Sequence, residues 1–88
     1  MNPELFHRWY DPSSEIVLDF LRANQISHLV NLIDIDDDDE FAEDRLTRIT
    51  SRADVPCLLV DMKPIYGAED IINWLEVNLL GQGGQAVL

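Results

Sequence analysis

The residues able to do chemistry fall into three short groups. Tyr10-Asp11-Pro12-Ser13-Ser14 sets a carboxylate and two hydroxyls around a proline. Cys57, the chain's one cysteine, follows Pro56 in the apolar run Val55–Val60. Asp34 to Glu40 is acidic at all but one position, and Glu69-Asp70 adds a second acidic pair. Asp11 suits a helix N-cap, Pro12 the first helical position and Ser13-Ser14-Glu15 the first turn, so capping explains this group before catalysis does. Neither serine has a neighbouring His or Lys to activate it, and no Gly-x-Ser-x-Gly elbow surrounds them. One cysteine cannot support dithiol exchange, which needs two sulfurs. Cys57 is therefore either a small buried strand residue or a single reactive thiol.

Metal chemistry is tested by spacing. Asp34, Asp36 and Asp38 mimic the first ligands of a calcium-binding loop, but position six is Asp39 instead of Gly. Position twelve is Arg45, where a bidentate Glu is required. A solvated loop running into a helix start accounts better for the acidity. His7 and His28 lack the companions of a zinc site. No metal or certain cofactor is expected.

These groups need elements to hold them. Leu5 to Tyr10 reads as a strand with Leu5, His7 and Trp9 on one face and Phe6, Arg8 and Tyr10 on the other. Asp11 opens a helix to about Asn24, with Ile16, Val17, Phe20 and Leu21 as its buried stripe and Asp19 and Arg22 pairing outward. Ile26 to Ile33 reads as a second strand, parallel to the first through a right-handed crossover. Phe41 to Thr50 is a second helix, buried through Ala42, Leu46 and Ile49. Val55–Val60 and Pro64–Tyr66 make a hairpin around Asp61-Met62-Lys63. A last helix, Ala68 to about Leu80, buries Ile71, Ile72, Leu75 and Leu79. Pro56 cannot donate to a ladder and so must begin its strand or sit on an edge.

Val-Pro opening a strand, a hairpin, then Gly67-Ala68-Glu69-Asp70 opening the last helix resembles the second half of glutaredoxins and of the N-terminal domain of glutathione transferases. The resemblance covers about residues 4–80. It implies an α/β fold: a single thioredoxin-like domain, β-α-β-α-β-β-α, with a four-stranded mixed sheet and a cis bond before Pro56. It sets Asp11 where redox relatives carry the nucleophilic Cys, and Ser14 where dithiol members keep the second. Tyr10 to Ser14 are then vestigial active-site positions. It further implies that the backbone at Val55 and Pro56 pairs with the cysteinyl part of glutathione and that Glu69 and Asp70 hold its γ-glutamyl amine. For the glycyl carboxylate the available cations are Arg8, Arg48 and Arg52, with Arg52 or Arg48 preferred.

A net charge of −11, from 17 acidic and 6 basic residues, argues against nucleic acid and anionic membranes as partners. No apolar run approaches the roughly 20 residues of a membrane span. The start Met1-Asn2-Pro3-Glu4 lacks a secretory pattern, and a lone cysteine suits a reducing compartment, so a cytoplasmic monomer is expected. Residues 1–80 form the expected domain and 81–88 a flexible tail. The balance favours a non-redox binding module, its ligand glutathione, another thiol, a peptide or a protein partner. The enzymatic alternative is transferase-like use of glutathione through Ser13 or Ser14, or one-thiol chemistry at Cys57.

Overall fold

Alternation at Leu5 and Phe6 sets the layers. In the computed structural model, which describes residues 2–36 and 41–81, both side chains are fully buried and lie in different cores. They sit on β1 (Glu4–His7), which pairs in parallel with β2 (Asn31–Asp34) and antiparallel with β3 (Cys57–Val60). β4 (Lys63–Tyr66) pairs antiparallel with β3, giving the order β2-β1-β3-β4. Leu5 and Leu58 pack with Val17, Leu18 and Leu21 of α1 (Pro12–Ala23) and with Ile71 and Leu75 of α3 (Ala68–Asn78). Phe6, Cys57 and Leu59 pack with Ala42 and Leu46 of α2 (Ala42–Thr50). Each fully buried Leu or Phe contributes about 1.5–3 kcal/mol of transfer free energy. The result is the mixed four-stranded sheet of a thioredoxin-like α/β domain.

Several boundaries differ from the sequence reading, each for a local reason. β1 ends at His7 because the Arg8 N–H turns to the Ser14 Oγ (3.2 Å) and the Asp11 N–H closes a turn onto the Arg8 carbonyl (3.1 Å). Trp9 and Tyr10 thus leave the sheet for a turn and stand exposed. Ile26 to Val30 is not strand. The Leu29 N–H donates to the Ile26 carbonyl and the Val30 N–H to that of Ser27, forming a 3₁₀ turn, and β2 begins only at Asn31. Ile26 and Val30 still reach the core from that turn.

The buried stripe of α1 is Ser14, Val17, Leu18 and Leu21, at i, i+3, i+4 and i+7, while Ile16 is 53% exposed. Asp19 and Arg22 pair outward as expected. β3 starts at Cys57, one residue beyond Pro56, and α3 stops at Asn78 with Ile72 only half-buried. Of the acidic run, residues 37–40 lie outside the described residues, as does the expected tail beyond Gly81. Among the described residues no helix is long and apolar enough to cross a membrane.

Candidate functional site

Sheet topology delivers three chain segments to one end. β1 runs out at His7 and hands the chain through Arg8–Tyr10 to the start of α1. β3 begins opposite Phe6, so the Val55–Pro56 peptide, which is cis, lies at the same end. β4 finishes at Tyr66 opposite Cys57 and there releases Gly67 and the start of α3. Gly67 has φ 88°, and a Cβ there would meet no atom within 4 Å. Backbone conformation, not space, calls for glycine.

At the start of α1, Asp11 is extended (φ −88°, ψ 122°) and its Oδ2 accepts the Ser14 N–H at 2.8 Å. That cap is worth about 1 kcal/mol and sets a carboxylate on the positive end of the helix dipole. Ser13 points into solvent, whereas Ser14 is fully buried and its Oγ accepts from Arg8. Ser14 is therefore a brace between the end of β1 and the first turn of α1. Ser14→Ala would leave the part-buried Arg8 N–H without its acceptor, and stability should fall by about 1–3 kcal/mol. Urea unfolding measures this; a loss under about 0.5 kcal/mol would mean that water serves the N–H equally well.

Asp36 gathers the loop from the other side. Its Oδ2 accepts from Arg8 Nε at 3.1 Å, and its own N–H is held by Asp34 Oδ1 at 2.9 Å. A hydrogen bond to the Asp36 carboxylate is also the main cause that raises the Tyr10 phenol above its ordinary pKa. The same carboxylate raises Arg8, against a smaller opposing effect of desolvation. Arg8 is thus engaged within the protein. The sequence reading weighs Asp36 only as a calcium ligand and leaves it in a solvated loop, because a partnership across 28 residues leaves no local pattern.

Cys57 lies in the core with Phe6, Ile35, Leu46 and Leu59. Burial pushes its thiol up to about 11, opposed only in part by the Ile65 backbone and the Tyr66 hydroxyl. That hydroxyl is itself buried and makes no hydrogen bond of normal geometry among the described residues, so desolvation decides the outcome. Pro56 is buried and Val55 half-buried. Arg52 lies in the loop leading to them, its guanidinium 3.9 Å from the centre of the Tyr66 ring and its Nε 2.8 Å from Asp54 Oδ2. A ligand carboxylate would have to exchange with Asp54. Arg48 stands instead on the exposed side of α2 beside Glu43, Asp44 and Thr47. Glu69 and Asp70 are exposed in the first turn of α3, which no side chain caps. A cavity of about 660 Å³ opens at the opposite end of the sheet, lined by Pro3, Glu4, Asn31, Leu59, Met62 and Trp74 among others. It contains none of the expected site residues. Among the described residues, no three His, Cys, Asp or Glu side chains are grouped to hold a metal ion.

Structural comparison places this architecture among known ones. The chain is similar to a glutaredoxin of Archaeoglobus fulgidus, with a TM-score of 0.67 at 15% identity over 88% of this chain and 86% of that one. It is similar to E. coli glutaredoxin, at 0.56 and 24% identity over 90% and 98% of the two chains. A buckwheat glutaredoxin solved in complex with glutathione aligns at 0.62 and 17% identity over 91% and 73%. At these identities the likeness defines a fold: this is a thioredoxin-like domain. Its particular form is glutaredoxin-like, with a single cysteine and no Cys-x-x-Cys pair. No protein-family profile and no curated protein sequence matches the chain.

Proposed function

We propose that the protein is a binding module on a glutaredoxin-like scaffold that does not use thiol–disulfide chemistry. Its ligand, glutathione or another thiol or peptide, lies beside cis-Pro56. The observation that carries this reading is Asp11, which caps α1 where the resemblance sets the reactive cysteine. Support for the ligand class comes from the complex of the buckwheat protein with glutathione. In this reading the backbone at Val55 and Pro56 pairs with an extended ligand, Glu69 and Asp70 hold its amine, and Arg52 meets its carboxylate after leaving Asp54. Residues 1–80 act as the domain, working as a monomer in the cytosol, where a lone thiol needs no oxidising surroundings. Burial opposes the enzymatic alternative at Ser14 and Cys57, and the exposed Ser13 has no neighbouring His or Lys in sequence to activate it.

Titration with glutathione, followed through backbone amide resonances, tests the reading. The signals of Val55, Glu69 and Asp70 are expected to move together and to saturate. Movement elsewhere but not at these three would put the ligand at another site. A spectrum that does not change would leave only a peptide or protein as ligand.

A further inference from the structure

Trp9 and Tyr10 are 62% and 76% exposed, side by side, at the end of the sheet. Scattered apolar residues on a surface need no explanation, but this pair sits on a braced loop. The Asp11 N–H donates to the Arg8 carbonyl, the Arg8 N–H to Ser14 Oγ, and Arg8 Nε to Asp36. The same Asp36 carboxylate raises the Tyr10 phenol above its ordinary pKa. The backbone that carries the two aromatic groups is thus held in place, which lowers the ordering cost of binding with them. Trp and Tyr are also the side chains that most often dominate interface energetics.

The surroundings define what such a surface can accept. Asp11 follows directly in sequence, Asp36 pairs with Arg8 and acts on the Tyr10 phenol, and Glu43 acts electrostatically on Arg8. Of the cations near this group, Arg8 is already engaged by Asp36 and Arg48 stands beside Glu43 and Asp44. The chain as a whole carries −11, a field that repels a second copy, a nucleic acid or an anionic membrane and draws in cations.

We infer that Trp9 and Tyr10, with Asp11, Asp36 and Glu43 as an acidic rim, form a docking surface for a Lys/Arg-rich segment of another protein. The aromatic faces take the aliphatic stems and cationic heads of that segment, and the carboxylates complement its charge. This surface adjoins the groove proposed at Pro56 but does not depend on it.

The test uses the full chain and a synthetic peptide of alternating Lys and Leu, with a Glu-for-Lys counterpart as control. The indole N–H resonances of Trp9 and Trp74 are the reporters. The basic peptide is expected to shift Trp9 and to leave the half-buried Trp74 unmoved. Its affinity should fall about tenfold between about 20 mM and about 200 mM salt. Trp9→Ser should weaken binding about tenfold or more without moving the unfolding midpoint. Equal binding of the acidic peptide, or affinity unchanged in Trp9→Ser, overturns the inference. Glutathione provides the separate arm. If it moves Val55, Glu69 and Asp70 while the basic peptide leaves Trp9 still, the docking surface fails and the groove stands. The converse result sustains the surface without the groove.

Discussion

Asp11→Cys is expected to yield a thiol that alkylates quickly at pH 6, where an ordinary cysteine is almost wholly protonated. Cysteines at helix N-termini titrate between about 3.5 and 7.5, against about 8.5 for a free thiol. The Ser14 N–H that now donates to Asp11 Oδ2 would instead serve the sulfur. The dipole of α1 adds a partial positive charge of about half a unit at the same spot. Glu15 and Asp36 work in the other direction, as does the overall charge of −11, so the upper part of that range is expected. Alkylation rate against pH, with the modified residue mapped by mass spectrometry, gives the midpoint directly. The exchange also removes a carboxylate cap, and unfolding should come about 1 kcal/mol sooner. A midpoint at or above about 8.5 would show that position 11 does not sit at the focus of the helix. The account of the protein as a scaffold without its sulfur would then lose its foundation.

Local chemistry in the sequence carried the start of α1 in full: Asp-Pro-Ser-Ser-Glu specifies cap, first residue and first turn without tertiary help, and the structure shows that cap. The place of Pro56 was equally legible, since a residue lacking an N–H can stand just ahead of an interior strand but not within it. What failed to read was set by competition between local and distant partners. Ser14 hid the true stripe of α1, because a polar residue at a buried stripe position looks like surface until its bond to Arg8 is seen. Ile26 to Val30 leads into the apolar body Leu29, Val30, Leu32 and Ile33 and so reads as one strand with it, yet its backbone groups satisfy one another within a turn. Trp9 and Tyr10 alternate correctly for β1, and only the turn at Arg8 takes them out of it. The Arg8–Asp36 and Arg52–Tyr66 contacts join residues far apart in the chain, and no periodicity announces them. The elements that place the candidate site were thus readable, while the pairing of its charges was not.

Cys57 in the folded protein should resist alkylation at pH 7 by about a hundredfold or more relative to an unperturbed thiol. A pKa raised from 9.0 to about 11 cuts the thiolate fraction by that factor. Full burial adds the requirement that the core open before a reagent can enter. The same shift makes stability depend on pH, and the sign follows from which state holds the proton more tightly. The folded protein does, so this contribution is whole below pH 9 and disappears as pH climbs through about 11. Two units amount to about 2–3 kcal/mol. Urea midpoints taken between pH 8 and about 11 should therefore fall more steeply in the native protein than in Cys57→Ala. The slopes are compared, not the absolute stabilities, because the alanine variant also leaves a small void among Phe6, Leu46 and Leu59. Stoichiometric labelling of the folded chain at pH 7, at the rate of an exposed thiol, would remove Cys57 from the core and restore a one-thiol enzyme as the better reading. Buried as it is, Cys57 makes with Asp11→Cys a pair of thiols at one end of the sheet, one promoted by a helix and one silenced by the core. Their difference in reactivity measures how strongly position alone governs sulfur chemistry in this fold.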